Sequence, residues 1–91
     1  MDPGILGTDP EDWFIVYLDA GTTVYINMTV PVLSDYDLYL YDSSGVLLDE
    51  SVLFGSLNEA IEHQITTSDW YYVQVYGNYG GGRYTLTIEV T

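Results

Sequence analysis

Residues 34–45 read SDYDLYLYDSSG, and this stretch decides the fold class. Within it, residues 36–42 alternate apolar and polar positions, which is typical of a β-strand with one buried face; Leu38 and Leu40 would point inward. The run ends in the turn residues Ser43-Ser44-Gly45, where the glycine can adopt a positive φ. The stretch therefore predicts a strand followed by a tight turn.

The same alternation recurs along the chain. Further strands are predicted at residues 12–18, 22–30, 46–51, 60–66, 70–76 and 83–90, with a loop at residues 54–59. Because each strand is polar on one side, each sheet buries one face and two sheets have to pack together. We therefore predict an all-β fold, a two-sheet antiparallel β-sandwich of about seven to eight strands. Leu38, Val73 and Leu86 should share its interior.

Charge and composition exclude several classes of function. The chain has 14 acidic residues and a single Lys or Arg, giving a net charge of −13. It offers no basic patch to neutralise phosphates, so we expect no nucleic-acid partner and no attraction to an anionic membrane. No apolar run is long enough to insert into a membrane, and without cysteine neither disulfides nor thiolate metal sites can form. The acidity favours cations, salty surroundings or basic partners.

The length of the chain predicts one folded domain. Residues 1–8, which contain Pro and Gly, are predicted to be a flexible lead or linker, and residues 9–91 to form the domain. The first residues have neither a basic region nor an apolar stretch, so we expect no signal peptide among them, although the protein could still be secreted through a signal outside this sequence.

Five stretches of the chain resemble, in order, one known family. They are residues 12–14 (DWF) with 18–22 (LDAGT), 35–42 (DYDLYLYD) with Gly45, 58–61 (NEAI), 71–77 (YYVQVYG) and 82–87 (GRYTLT). They are similar to the bacterial pre-peptidase C-terminal domain, and the resemblance as a whole extends over roughly residues 9–90. Asp69-Trp70 and His63 depart from the family pattern and leave the ligand preference open.

The resemblance implies a sandwich of jelly-roll type and a non-catalytic accessory or binding module of a secreted or cell-surface protein, such as a peptidase. Such a module would attach its parent to a substrate or surface, or stabilise the parent. Its partners would be the parent's other domains and a protein or polysaccharide polymer, and the isolated domain is expected to be a monomer. The alternative is a structural role as a cell-surface, adhesion or filament building block joined through sheet edges and aromatic faces.

Asp35 and Asp37 lie two positions apart on a predicted strand and therefore share a face. Asp12 at the start of the first strand, with Asp9 and Glu11 before it, could add further carboxylate oxygens. Calcium takes six to eight oxygen ligands in irregular geometry, whereas zinc prefers His or Cys. Some members of the resembled family bind calcium through acids of their N-terminal segment. We therefore predict a calcium site formed by these acids; the alternative is that they are ordinary solvent-facing residues.

Many aromatic residues are predicted to face outward when Phe14, Leu38 and Val73 face inward. They are Trp13, Tyr17, Tyr25, Tyr39, Tyr41, Trp70, Tyr72 and Tyr76. Because Tyr and Trp combine rigid contact area with a polar group, they favour a binding surface. We assign that surface to Tyr39, Tyr41, Trp70, Tyr72 and Tyr76. The alternative is that cross-strand aromatic pairs only stabilise the sheet.

No catalytic residue is predicted. The single histidine, His63, alternates with Ile61 and Ile65 on an apolar face, which favours a structural role. No serine lies in a G-x-S-x-G sequence, and the glycines at 80–82 are followed by neither a lysine nor a helical pattern. We therefore do not expect an enzyme.

Overall fold

The structure, a computed structural model, describes residues 4–5, 11–53, 57–79 and 82–91. Strands form where Leu, Val, Ile and Tyr alternate with polar residues, and the bounds of the strands are as follows. They are β1 Gly4–Ile5, β2 Glu11–Leu18, β3 Thr23–Thr29, β4 Asp35–Tyr41, β5 Leu47–Ser51, β6 Glu59–Gln64, β7 Asp69–Tyr79, β8 Gly82–Arg83 and β9 Thr85–Val90. In these ranges no helix has the length and apolarity needed to cross a membrane.

Two antiparallel sheets make up the fold. One has four strands in the order β2-β7-β4-β5, and the other has three in the order β6-β3-β9. The chain passes back and forth between them, so that strands adjacent in sequence mostly lie in opposite sheets. The predicted all-β, two-sheet antiparallel sandwich is confirmed.

The predicted lead at residues 1–8 contains one described pairing. Gly4 lies opposite Arg83 and Ile5 opposite Gly82, so that β1 and β8 form a separate two-stranded pair. The other residues of the lead, and residues 9–10, lie outside the described residues. The boundary between lead and domain therefore stays a prediction.

The core lies between the inner faces of the two sheets. Its fully buried side chains include Val24, Ile26 and Met28 from β3, Leu38 and Leu40 from β4, and Val73 and Val75 from β7. Leu86 of β9 packs against this cluster and is partly buried. The predicted shared interior of Leu38, Val73 and Leu86 is confirmed, and each fully buried side chain of this kind contributes about 1.5–3 kcal/mol.

The turn after β4 forms as the sequence predicts. Gly45 has a φ of 84°, and its backbone N–H donates to the Asp42 carbonyl oxygen at 3.0 Å. The Asp42 carboxylate accepts from the backbone N–H groups of Ser44 and Val46, each at 2.9 Å. The Asp42 backbone N–H also donates to the Val46 carbonyl oxygen at 3.0 Å, so both the backbone and the side chain of Asp42 hold the turn closed.

Several strand boundaries differ from the prediction; the predicted strand at residues 83–90 is divided between β8 and β9, and β6 ends at Gln64 rather than at residue 66. In two further places a partner strand explains the difference. β7 continues to Tyr79, because Asp35 of β4 extends far enough to pair with it. β6 begins at Glu59, inside the predicted loop at residues 54–59, because Glu59 lies opposite Met28 of β3. In both places a partner strand, rather than the local sequence, determines where pairing begins or ends.

Candidate functional site

The outer face of the four-stranded sheet carries aromatic side chains on three adjacent strands. We call this surface the aromatic face; it comprises Trp13, Tyr17, Tyr39, Tyr41, Trp70, Tyr72 and Tyr76. The five residues that the sequence assigns to a binding surface all belong to it. The largest rings keep much of their area in solvent, since Trp13 is 40% exposed and Trp70 50% exposed. Much ring area is therefore left to contact a partner.

The aromatic side chains on this face touch one another in pairs. The ring centroids of Trp13 and Tyr41 are 5.5 Å apart with planes inclined at 41°. Those of Tyr17 and Trp70 are 5.4 Å apart in an edge-to-face arrangement. Such pairs contribute about 0.5–1.5 kcal/mol beyond their buried area. They stabilise the sheet and also hold the rings rigidly, which lowers the entropic cost of contact with a ligand.

A polar network lies among these rings and is centred on Gln74 of β7. The Tyr41 hydroxyl donates to Gln74 Oε1 at 3.0 Å, and Gln74 Nε2 donates to Glu11 Oε2 at 2.6 Å. Both contacts fix the orientation of the amide, which is buried. Gln74 was not among the predicted site residues, although its position between Tyr72 and Tyr76 in the alternation places it on the same face.

A shallow groove crosses the aromatic face beside the turn after β4. Its volume is about 660 Å³, and it is lined by Trp13, Tyr41, Tyr72, Gln74 and the turn residues Ser43, Ser44 and Gly45. Tyr41 and Tyr72 lie directly opposite each other in the sheet register. The groove is therefore formed by rigid strands on one side and a hydrogen-bonded turn on the other.

A second, smaller cavity of about 220 Å³ lies at the same end of the sandwich. Asp42, His63, Asp69 and Tyr71 are among its lining residues. His63 is half-buried, and its Nδ1 atom is 3.4 Å from Asp49 Oδ2. The hydroxyl of Ser43 donates to Asp69 Oδ2 at 2.6 Å, and this bond, with one from the Trp70 backbone N–H, lowers the pKa of Asp69.

The acids of the predicted calcium site occupy different places in the fold. Asp12 is buried and accepts a hydrogen bond from the Tyr84 hydroxyl at 2.7 Å. Glu11 points to the opposite side of β2, where it accepts from Gln74. Asp35 and Asp37 are both buried on β4, and Asp9 lies outside the described residues. In the part of the chain that the structure describes, no three His, Asp or Glu side chains group closely enough to hold a metal ion. The five-acid site stays a prediction.

Glu59 lies close enough to Asp35 and Asp37 for their negative charges to affect its pKa. Its Oε1 atom accepts from the Ser51 hydroxyl at 2.5 Å and from the Leu53 backbone N–H at 3.2 Å. Among the described residues, Glu59 Oε2 and Asp35 Oδ1 are buried without a hydrogen-bond partner. Burial raises the pKa of Glu59, the two hydrogen bonds lower it, and the charges of Asp37 and Asp35 raise it further. Alternation with Ile61 could have identified Glu59 as inward-facing.

Comparison with known proteins adds no family to this picture. No protein-family model matches the chain, and no curated protein matches it at a significant level. The function is therefore argued from the aromatic face and from the buried acids.

Proposed function

We propose that this chain is a non-catalytic binding module of a secreted or cell-surface protein, of the pre-peptidase C-terminal kind, and that its aromatic face holds the parent protein to a substrate or surface. The observation that carries the proposal is the aromatic face itself. Its rings lie on β2, β7 and β4 and remain partly exposed to solvent. The opposite face of the same strands carries the apolar side chains of the core, so these rings are not needed to fill the interior. Aromatic residues are enriched among those that dominate binding interfaces.

A non-catalytic role is supported by how the ionisable side chains are used. The His63 ring faces Asp49, the Asp12 carboxylate accepts from Tyr84, and Glu59 accepts from Ser51 and Leu53. Each of these contacts links strands or loops of the sandwich. Contacts of this kind stabilise the fold, which supports a structural use of these ionisable side chains.

The test is binding of the isolated domain to a panel of insoluble and soluble polymers, followed by substitutions in the aromatic face. Trp13→Leu and Tyr72→Leu remove rings while keeping apolar side chains, and each should weaken binding at least about tenfold, or ~1.4 kcal/mol. Tyr25→Leu is the matched control, since Tyr25 lies on β3 in the other sheet. Binding that is unchanged by both face substitutions would refute the proposal.

We also propose that calcium binds as a stabilising ion at Asp35, one of the five predicted ligands, beside Glu59. The support is the pair of buried carboxylate oxygens without partners, Asp35 Oδ1 and Glu59 Oε2, because such atoms are costly unless a cation or donor satisfies them. Bound calcium would supply positive charge and accept these oxygens as ligands. Further oxygens would come from water.

The calcium proposal is tested by thermal unfolding in millimolar calcium and in a chelator. Calcium should raise the melting temperature of the wild-type domain, because an ion that binds only the folded state stabilises it. Asp35→Asn should abolish the increase, whereas Glu50→Gln, at an exposed acid on β5, should retain it. Equal melting temperatures with and without calcium would rule the site out.

The second candidate function is a structural building block of a surface layer or filament. It is favoured by the sheet order, which leaves β2 and β5 with one neighbour each within the four-stranded sheet of the described residues. Strands at a sheet edge can pair with another chain. Assemblies that grow with protein concentration in sedimentation experiments at neutral pH would support this structural role. A monomer that binds a polymer would support the role as a binding module.

A further inference from the structure

The groove on the aromatic face is shallow, and the rings that line it determine which ligands it can bind. Trp13, Tyr41 and Tyr72 contribute three aromatic rings to its walls. The face of an aromatic ring carries partial negative charge and attracts Lys and Arg side chains, and Trp attracts them most strongly. A volume of about 660 Å³ exceeds what a single ammonium group needs and leaves room for its alkyl stem.

Three carboxylates accept hydrogen bonds from residues that line the groove, although Asp42 and Asp69 themselves line the second cavity. Glu11 accepts from Gln74. Asp69 accepts from Ser43, and Asp42 accepts from the Ser44 backbone N–H. The chain as a whole has a net charge of −13 and only one Lys or Arg to offset it. A cation that enters the groove therefore meets aromatic faces and negative potential together.

We infer that this groove binds lysine side chains of a basic polypeptide, an inference that rests on the proposed function of the aromatic face. The negative charge of the chain attracts such a positively charged partner. The faces of the three rings would add cation–π attraction to the lysine ammonium group. Estimates of that attraction run from about 0.5–1 kcal/mol at exposed sites to about 2 kcal/mol when the cation is desolvated.

The spacing of rings along β7 fits an extended polypeptide. Tyr72 and Trp70 lie two residues apart on the same face, which separates them by about 7 Å along the strand. Trp70 forms the second ring pair with Tyr17. Side chains on one side of an extended peptide repeat at the same distance. A lysine in the groove can therefore be followed, two residues on, by a second lysine at the Tyr17–Trp70 pair.

A neutral polysaccharide fits the groove less well. Sugar hydroxyl groups need free acceptors and donors, but several polar atoms at the groove are already paired within the protein. Glu11 Oε2, Asp42 Oδ1 and both Asp69 oxygens accept internal hydrogen bonds. These bonds use acceptor capacity but leave the negative charge in place, since those on Asp69 lower its pKa. The groove thus offers charge and ring faces more than open hydrogen-bonding positions.

The test is calorimetric titration of the domain with pentalysine and with the same peptide acetylated on every side chain. Pentalysine should bind, and acetylation, which removes the charge, should abolish binding. Trp13→Leu and Tyr72→Leu should each lower the affinity about tenfold, while Tyr25→Leu leaves it unchanged. All three variants keep the net charge at −13. Melting temperatures of the variants establish that each is folded.

Three outcomes would overturn the inference. If pentalysine binds wild type and both face variants equally, attraction to the overall charge alone accounts for binding. If cellohexaose binds in a Trp13-dependent way and pentalysine does not, the groove is a sugar site, and the proposed binding role of the face stands. If neither probe binds and no polymer depends on Trp13 or Tyr72, both the inference and the proposed function fail.

Discussion

Glu59 is the residue at which burial and charge oppose each other most directly. It is 1% exposed, one carboxylate oxygen accepts two hydrogen bonds, and burial outweighs these bonds so that the pKa is raised above the ordinary value of 4.5. The folded protein therefore holds a proton at Glu59 more tightly than the unfolded chain does. Deprotonation of this group opposes folding as the pH rises.

Glu59→Gln should consequently stabilise the domain by an amount that depends on pH. Below the unfolded-state value of 4.5, both proteins carry a neutral side chain and should have similar free energies of unfolding. As the pH rises above the folded-state pKa, the glutamate becomes charged and the variant should become the more stable of the two. Urea denaturation in a chelator, at about pH 5.5 and about pH 8, where the domain keeps most of its negative charge, measures how the difference changes with pH.

The matched control for this substitution is Glu62→Gln on the same strand. Glu62 is exposed, so its substitution should change the free energy of unfolding by less than about 0.5 kcal/mol at either pH. A Glu59→Gln effect that is identical at the two pH values would contradict the role assigned to burial.

At the scale of elements, β3 is the strand on which the smaller sheet depends. It pairs with β6 on one side and β9 on the other, and its inward side chains are fully buried. β2, in contrast, pairs with β7 in the larger sheet and turns Ile15 toward solvent, where the side chain is 57% exposed. An isoleucine therefore contributes more to stability on β3, where Ile26 is fully buried, than on β2, where Ile15 is exposed.

Ile26→Ala should lower the free energy of unfolding by about 2–5 kcal/mol, because it removes a fully buried side chain and leaves a cavity. Ile15→Ala, the same chemical change at an exposed position, should lower it by less than about 0.5 kcal/mol. Chemical denaturation of the two variants beside wild type measures both values. Equal losses would mean that the interior does not lie where the two sheets face each other.

The ends of the strands show which features of the fold cannot be predicted from the alternation of apolar and polar residues along the chain. Periodicity located the strands of both sheets because it reports which side chains are inward. It did not locate the start of β6 at Glu59 or the end of β7 at Tyr79, since these depend on Met28 and Asp35 in other strands. For the same reason the network joining Glu11, Gln74 and Tyr41 was not predicted: its members come from three strands.

At the scale of the whole molecule, the net charge of −13 governs how copies of the domain meet. Exposed strand edges are prone to pair with other chains, and like charge on every copy opposes that pairing. Lysine, which many proteins place at such edges, is replaced here by acids. The repulsion depends on ionised carboxylates.

Acidification should therefore cause self-association. At a pH near 4, close to the ordinary pKa values of Asp and Glu, roughly half of the carboxylates are protonated and much of the negative charge is lost, so light scattering of the domain should rise compared with neutral pH. High salt at neutral pH is the control, because it screens the charge without protonating the acids and should produce a weaker increase. Scattering that stays flat through this pH range would show that charge does not keep the domain soluble.

The amino-acid sequence by itself determined the fold class, the interior containing Leu38 and Val73, and the outward position of the aromatic rings, because side-chain alternation is a local property of each strand. Only the tertiary structure decided which rings meet, that Asp12 turns inward to Tyr84 while Glu11 turns outward to Gln74, and that Glu59 is buried with an unpaired oxygen. The physical reason is that these contacts join residues far apart in the chain. Their distances follow from the order and register of strands, which no single stretch of sequence contains.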